Sequence, residues 1–396
     1  MHSKGMYAML DVVGNHMGGT IGDIGGFYPF NQSSHYHGCG ACPANCQIDF
    51  NANNQQEVEL CRLAGLPDLN QSVPFVSSYL NKWIGAQVAG YGFDGIRVDT
   101  VPEVDMPFWR SFQAAAGVYA VGEVFNGGVG YVAPYQGGAL PGILSYPLFF
   151  TMRNVFAQQQ PMTQLQDTLK AYSAFQDVVS PLRGRADRSF PSAPAGPSSS
   201  CSPPGQRAAP SPSRTPPQDA LGTFLDNHDN PRFLYVRNDQ AAYKAALTFM
   251  VMTRGIPIVY YGSEQGFDGG PDPGCREPLW TSKYATDTPL YQHIKTVVGV
   301  RQSNKLWTLP QVQRYADATF YAFSRGQILV AATNVGSDGA QQKRSITYGA
   351  GTTWPTGCVL SNAFFPTTDK ITVAAAGFEI FLDSGESKIY LPGPGC

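Results

Sequence analysis

The sequence predicts an α/β protein with a largely parallel sheet, followed by a separate antiparallel β domain. Over the first three hundred residues or so, short apolar strands alternate with amphipathic helices, a pattern typical of parallel strands joined by crossover helices. From about Leu306 the helical periodicity stops, and alternating strands follow, as in ATFYAFSRGQILVAATNV and KITVAAAGFEIFLDS. At 396 residues the chain is too long for one small core, so at least two domains are expected.

The elements of the first part, over residues 1–305, form six strand–helix repeats, and residues 306–396 form the β domain. Each strand is a short apolar run, and each helix shows the helical spacing of apolar residues. The predicted strands are Tyr7–Val13, Gly95–Val98, Val118–Val121, Ile143–Tyr146, Gly222–Leu225 and Pro257–Tyr261. The predicted helices are Ser77–Val88, Pro107–Ala116, Thr151–Gln158, Met162–Phe175, Ala241–Thr253 and Leu290–Gln302. An irregular Gly-, Asn- and Cys-rich segment, to about Pro67, separates the first strand from the first helix.

A proline-rich segment at about 180–218 fits neither part. It holds ten of the chain's 31 prolines among Ser, Ala and Arg, and it has no periodicity. Such a composition cannot bury enough apolar surface to offset chain entropy, so we expect disorder. A genuine linker is one explanation. Translated non-coding or frame-shifted sequence is favoured, because strand signals resume at Leu221 as if nothing intervened.

Charge and hydropathy give no reason to expect nucleic acid or membranes as partners. Lys and Arg number 27 against 29 Asp and Glu, which leaves a formal charge of −2. This near-neutral balance provides no electrostatic attraction for nucleic acid or an anionic membrane surface. No stretch is long and apolar enough to span a bilayer.

The cysteines and the N-terminus give opposite indications about the compartment. Eight cysteines without repeated C-x-x-C spacing favour disulfides in an oxidising compartment over a metal site. Two sequons, at Asn31 and Asn70, permit glycosylation. The start, MHSKGMYAML, lacks the apolar core and cleavage site of a signal peptide.

Four strings place ionisable residues directly after apolar strands: DVVGNHMG, GFDGIRVDTV, GEVFNG and GTFLDNHDNPRF. In a barrel of parallel strands, the carboxyl ends of the strands converge on the active site. A single Asp after a strand is more often a helix cap. Four strands that all end in carboxylates, amides and imidazoles are hard to explain by packing alone, so a catalytic site is predicted at this edge.

These strings resemble, in order, the four sequence regions of the alpha-amylase family of glycoside hydrolases, most closely its fungal secreted members. The resemblance extends through KGMYAMLDVVGNHMG, AAGVYAVGEV and GIPIVYYGSEQ, and it covers essentially the whole chain outside the proline-rich segment. It implies a (β/α)8 barrel, an inserted irregular domain B at about 17–70, and a C-terminal β-sandwich.

The resemblance also implies that the chain opens on the third barrel strand. Two strands and any signal peptide would then be missing, which would reconcile the cysteines with the N-terminus. We interpret this as a truncated gene model. A parallel sheet without two of its eight strands is expected to expose two apolar edges.

By resemblance, three carboxylates carry the chemistry of a retaining glycosidase. Asp99 is the nucleophile, Glu123 is the general acid and then the base, and Asp229 binds sugar hydroxyls and favours the distorted ring. Retaining enzymes hold the first two carboxyls about 5 to 5.5 Å apart. Arg97 lies two residues before Asp99, on the same side of the strand, and can hold it ionised. The pKa of Glu123 must be raised by burial and neighbouring carboxylates.

The resemblance further implies substrate-binding residues around the same glucose unit: Asp11, His16, Arg97, His228, Asp272 and Arg276. The two histidines are expected to donate hydrogen bonds to the sugar, although a lone His on such a strand is more often structural. Asp272 and Arg276 would complete the subsite at the cleavage point, and a surface ion pair is the alternative for them. Asp11 is expected to support the base of the site.

A calcium site is also implied by the resemblance. Hard cations bind carboxylate, amide and carbonyl oxygens. The implied ligands are Asn15, Glu59, Asp68 and the backbone carbonyl of Glu103, and the Ca2+ would tie domain B to the barrel. Scattered polar loop residues are the alternative interpretation.

Three features bear on the details. Cys46 and Cys61 match a family disulfide that brackets domain B. Cys275 replaces a family Asn and is expected to be a free thiol. Pro102 and Glu103 stand where fungal members commonly have Lys-His, so binding on the leaving-group side is expected to differ.

The resulting hypothesis is a secreted, monomeric endo-hydrolase of alpha-1,4 bonds in starch, glycogen and maltooligosaccharides. A related transglycosylase or exo-acting glucosidase is one alternative, because such enzymes differ mainly in loops and acceptor subsites. An inactive, truncated glucan-binding fragment is another.

Overall fold

The computed structural model describes residues 1–173, 217–347, 353–394 and 396, and its first part is built on parallel strands. These strands are β1 (Met9–Val12), β2 (Gly95–Val98), β3 (Tyr119–Gly122), β4 (Gly142–Ile143), β5 (Gly222–Phe224) and β6 (Ile256–Ile258). The helices are α1 (Gln55–Leu60), α2 (Pro74–Tyr91), α3 (Met106–Ala116), α4 (Val129–Val132), α5 (Tyr135–Gly138), α6 (Tyr146–Met152), α7 (163–173), α8 (Phe233–Val236), α9 (Gln240–Met252) and α10 (Pro289–Ser303).

The six parallel strands follow one another in chain order. Strands β1 to β4 form one sheet, and β5 pairs with β6. A bridge between Leu144 and Gly222 joins the two groups, and the amide of Ser145 donates to the carbonyl of Gly222 at 2.8 Å. The carboxyl ends of these strands therefore lie at one edge, where the polar motifs begin.

The outer strands, β1 and β6, each pair with one neighbour among the described residues. Met9 on β1 is 48% exposed and Ile256 on β6 is 44% exposed, whereas Ala120 on β3 is fully buried. Exposed apolar side chains thus lie at both outer edges. Closure of an eight-stranded barrel stays a prediction.

The observed elements agree closely with the predicted ones, with two clear errors: the strand predicted at Pro257–Tyr261 ends at Ile258, and a second error falls at β4. Strand β2 has its predicted bounds, Gly95–Val98. The strand predicted at Ile143–Tyr146 is wrong beyond Ile143, because Tyr146 begins helix α6 with Pro147 in its first turn, where proline is favoured. The last two residues predicted for helix Met162–Phe175 lie outside the described residues, as does nearly all of 180–218.

The irregular segment at 17–70 consists of short turns and helix α1, held by two disulfides. Cys39 bonds Cys46, and Cys42 bonds Cys61. The predicted Cys46–Cys61 pairing is therefore wrong. The turn Cys39–Ala41 packs against α1 and brings both upstream cysteines within bonding range of the downstream pair.

The C-terminal part consists of two antiparallel sheets around one core, as expected for a β-sandwich. Its strands are β7 (Gln311–Ala316), β8 (Phe320–Arg325), β9 (Ile328–Thr333), β10 (Gln342–Ile346), β11 (Val359–Asn362), β12 (Lys370–Thr372), β13 (Phe378–Leu382) and β14 (Lys388–Pro392). Six strands pair in the order β12-β11-β14-β9-β8-β7, and β10 pairs with β13. Leu329 from the larger sheet and Ile380 from the smaller one share the buried core.

A second core joins the two parts of the chain. Phe249 of α9 packs edge-on against Tyr321 and Phe323 of β8. Helix α9 directly precedes β6 in the chain, so this core packs next to the last described strand of the parallel sheet. Within the residues that the structure covers, no helix combines the length and apolarity needed to cross a bilayer.

Candidate active site

Arg97 connects three carboxylates at the ends of neighbouring strands. The register of β1 and β2 sets Asp11 opposite Arg97. Its Nη1 donates to Asp11 Oδ1 at 2.9 Å and to Asp99 Oδ1 at 2.6 Å, and its Nη2 lies 2.8 Å from Glu123 Oε2. Burial lowers the pKa of Arg97, but the charges of Glu123, Asp11 and Asp99 more than offset this and raise it. The guanidinium is therefore a fixed cation between the carboxylates.

Glu123 is buried and held from both sides. Arg97 contacts one of its oxygens, and the Tyr146 hydroxyl donates to the other, Oε1, at 2.8 Å. Burial raises the pKa of Glu123 to about 7; Arg97 opposes this shift, and a hydrogen bond with Asp99 adds to it. A carboxyl that holds its proton near neutrality is suited to act as a general acid.

Asp229 lies in the loop after β5, in a more open part of the site. Its Oδ1 is 3.3 Å from His228 Nε2 and 3.6 Å from Arg276 Nη2. Arg276 also forms an ion pair with Asp272 at 2.7 Å. The structure thus brings together the predicted residues Asp229, His228, Arg276 and Asp272. Asp272 and Arg276 form an ion pair with each other, and Arg276 also lies beside Asp229.

Tyr146 connects the two groups of carboxylates. Asn227, at the start of the loop of Asp229, donates its Nδ2 to the Tyr146 hydroxyl at 2.9 Å. Burial raises the pKa of Tyr146, and the charges of Glu123 and Asp229 raise it further. The loop of Asp229 is therefore connected to Glu123 through hydrogen bonds of Asn227 and Tyr146.

Sequence reasoning missed Tyr146 and Asn227. Tyr146 follows β4 as Asp99 follows β2, so the rule that polar residues mark strand ends could have found it. Its assignment to the strand itself hid that signal. Cys275 is free, as predicted; it is also buried, and its thiol donates to the carbonyl of His228 at 3.1 Å.

His16 lies in the segment after β1, paired with Asp68 in an antiparallel bridge. Within the described part of the chain, its Nδ1 hydrogen-bonds the carbonyl of Met17 at 3.3 Å rather than a carboxylate of the site. Its predicted contact with a sugar stays a prediction.

Two of the predicted calcium ligands adjoin each other. The amide of Leu69 donates to the carbonyl of Asn15 at 2.9 Å, which sets Asp68 beside Asn15. Asn15 is 1% exposed, and its side-chain oxygen has no hydrogen-bond partner. Asp68 accepts from His37 at 2.6 Å, and burial raises the pKa of Asp68.

The other two predicted ligands are joined by Gln55. Its Nε2 lies 2.9 Å from both Glu59 Oε1 and the carbonyl of Pro102, next to Glu103. The Glu103 side chain is buried, its Oε2 has no partner, and burial raises the pKa of Glu103 to about 8.

No three described His, Cys, Asp or Glu side chains are grouped to hold a metal by themselves. The predicted set also draws on an amide oxygen and a main-chain carbonyl, which are ordinary calcium ligands. Buried oxygens without partners at Asn15 and Glu103 fit a hard cation, because such oxygens are otherwise costly to bury.

Comparison with known proteins identifies the class of enzyme. The family described as alpha amylase, catalytic domain, matches residues 211–295. Alpha-amylase 2 of Schwanniomyces occidentalis is 31% identical over 410 residues, spanning 99% of this chain and 70% of the relative. A solved alpha-amylase from Malbranchea cinnamomea aligns with a TM-score of 0.81 at 32% identity, covering 99% of this chain and 75% of that one.

The chain belongs to the alpha-amylase family of glycoside hydrolases. The chain covers a smaller part of some relatives. Alpha-amylase 1 of Lipomyces kononenkoae is 33% identical over 311 residues, which is 76% of this chain but only 42% of the length of that protein.

Proposed function

We propose that the protein hydrolyses internal alpha-1,4-glucosidic bonds of starch, glycogen and maltooligosaccharides with retention of anomeric configuration. The supporting observation is the placement of Asp99 and Glu123 on one arginine, with Glu123 the more buried of the two and also bonded to Tyr146. Arg97 lies 2.6 Å from Asp99 Oδ1 and 2.8 Å from Glu123 Oε2, and burial raises the pKa of Glu123. A retaining glycosidase needs one ionised and one protonated carboxyl on either side of the scissile bond.

In the first step, Asp99 attacks the anomeric carbon as the bond to the leaving oxygen breaks. Glu123 gives its proton to that oxygen, and a glycosyl ester forms on Asp99. In the second step, Glu123 takes a proton from water, whose oxygen attacks the anomeric carbon and frees Asp99. Tyr146 orients Glu123 through both steps, because its hydroxyl donates to Oε1.

Asp229 binds hydroxyls of the same glucose unit and favours its distorted, oxocarbenium-like form. His228 and Arg276 adjoin Asp229 and complete the subsite with Asp272. His16 is proposed to donate to the same sugar from the opposite side, and Asp11 to support Arg97 from β1.

A Ca2+ ion is proposed at Asn15, Glu59, Asp68 and the carbonyl of Glu103. When bound, it supplies positive charge and cross-links the irregular segment at 17–70 to the ends of β1 and β2. The support is the pair of buried, unpartnered oxygens on Asn15 and Glu103.

We also propose that the protein works outside the cell as a monomer. Three disulfides among the described residues support an oxidising compartment.

The test is incubation of the purified chain, with calcium, on soluble starch and on maltoheptaose. A rapid fall in starch chain length supports the endo-hydrolase. Disproportionation products from maltoheptaose would indicate a transglycosylase, release from chain ends alone an exo-acting enzyme, and binding without turnover an inactive fragment. Glu123→Gln should abolish activity, and Glu379→Gln, an exposed position on β13, should not.

A further inference from the structure

The Glu103 side chain is a buried carboxylate that the proposed mechanism does not use. It lies in the turn Val101–Glu103, four residues after Asp99, and is 9% exposed. Its Oε2 has no hydrogen-bond partner. The calcium site described above takes only a backbone carbonyl from this residue, and any side chain could supply that carbonyl.

The charges around Glu103 make its burial unfavourable. Burial raises the pKa of Glu103, and the carboxylates of Glu123, Asp99 and Asp68, all of the same sign, raise it further. Arg97, the nearby guanidinium, is already bonded to Asp99 and Glu123. A buried carboxylate among like charges is retained at a cost in stability, unless a cation binds beside it.

A second buried oxygen without a partner belongs to the same region. Asn15 Oδ1 is buried and unpaired, and the backbone of Asn15 bonds Leu69, beside Asp68. Trp109 packs against Gly14 and donates its Nε1 to the carbonyl of Val101 at 2.9 Å, so the segment of Asn15 adjoins the turn of Glu103. Three oxygen-bearing side chains thus come from adjoining segments of the chain, and two of them carry buried oxygens without a hydrogen-bond partner.

We propose that the Glu103 carboxylate is itself a direct ligand of the divalent cation, together with Asn15 Oδ1 and Asp68. This rests on the proposed calcium site and extends it from a carbonyl to a charged side chain.

The proposal has a consequence that other roles of Glu103 do not share. Without the cation, the carboxylate destabilises the fold; with it, the carboxylate adds charge to the ligand set. Glu103→Gln should therefore stabilise the cation-free protein and at the same time weaken calcium binding. A structural hydrogen-bonding role would make the same substitution destabilising in both conditions.

Calcium binding to the EDTA-treated full chain is measured by isothermal titration calorimetry. Terbium luminescence excited through nearby Tyr131 and Tyr135 provides a second readout. Glu103→Gln should raise the calcium dissociation constant about tenfold or more, because affinity follows the charge of the ligand set. Asp105→Asn removes the same charge at an exposed position two residues later and should change the calcium dissociation constant by less than about twofold.

Thermal unfolding followed by circular dichroism, with EDTA and with calcium, completes the test. In EDTA, Glu103→Gln should unfold at the same or a higher temperature than wild type. Calcium should raise the unfolding temperature of Glu103→Gln by less than it raises that of wild type. Glu103→Ala serves as a second carboxylate-free variant if the amide does not fold.

Calcium affinity equal to wild type in the carboxylate-free variants would overturn the proposal, as would lower stability of Glu103→Gln in EDTA. Absence of calcium binding by wild type would overturn it together with the calcium site. Neither readout depends on starch cleavage, so failure of the proposed hydrolase activity would be seen separately.

Discussion

The candidate active site has two halves that differ in burial. Arg97, Asp99 and Glu123 have side chains that are 13%, 21% and 10% exposed, and they are bonded to one another in a closed network. Asp229 and Arg276 are 34% and 46% exposed and meet across 3.6 Å. The buried half is held by short ion pairs within the protein, whereas the open half is more accessible to substrate. We therefore expect substitutions in the buried half to affect kcat and those in the open half to affect KM.

The largest effect is expected from Arg97→Met. It removes the cation that three carboxylates share and leaves two of them buried without it. We expect kcat/KM on maltoheptaose to fall by about 10³-fold or more and the free energy of unfolding to fall by about 3 kcal/mol. Arg276→Met is the matched control in the open half; an equal loss for both variants would remove the distinction between the halves.

The pH dependence should follow Glu123, whose pKa burial raises to about 7. Because the acid must be protonated, kcat/KM should fall about tenfold per pH unit above 7. Since the pKa in the folded state is above the usual carboxyl value of 4.5, the stability contribution of this group should be full below pH 4.5 and should be lost as the pH rises to about 7. Urea unfolding at several pH values measures the free energy of unfolding of wild type and of Glu123→Gln. The same dependence of that free energy on pH in both proteins would contradict the prediction.

A smaller effect is expected from Tyr146→Phe. The lost hydroxyl donates to Glu123, a contact that lowers the pKa of Glu123. The variant should lose about tenfold in kcat, and its alkaline limb should move to higher pH. Tyr235→Phe, at an exposed tyrosine, is the control. A fall in kcat with an unmoved pH profile would show that Tyr146 acts by packing alone.

The smallest effect is expected from Asp272→Asn in the open half. It weakens an exposed ion pair with Arg276, so KM should rise a few-fold with kcat nearly unchanged. Added salt should reduce the difference from wild type, because exposed charges are screened. Asp287→Asn, an exposed acid outside the site, should leave both constants unchanged. A large loss of kcat would place Asp272 with the buried half.

Much of the buried half could be predicted from the sequence. Gly95–Val98 is a short apolar run with a charged residue after it, so both the strand and the position of Asp99 follow from local pattern. Arg97 is two residues away, which in a strand means the same side. These features depend on neighbours in the sequence, and the family resemblance supplied the roles.

Features that depend on distant parts of the chain could not be predicted in this way. Four cysteines allow three pairings, and a local turn near Cys39 selects between them. The segment around Glu103 has no periodicity that predicts where it packs, yet it is buried against the region of Gln55, which donates to the carbonyl of Pro102. Such burial follows from tertiary contacts that the local pattern does not contain.

The most direct test of the proposed mechanism is to trap the glycosyl-enzyme. The Glu123→Gln variant is incubated with an alpha-maltosyl fluoride, whose leaving group needs no acid. We expect a maltosyl adduct on Asp99 by intact-mass and peptide mass spectrometry, because the base that activates water is missing. An adduct on Asp229, or no adduct from a variant whose wild-type parent turns over the same fluoride, would contradict the assignment of Asp99 as nucleophile.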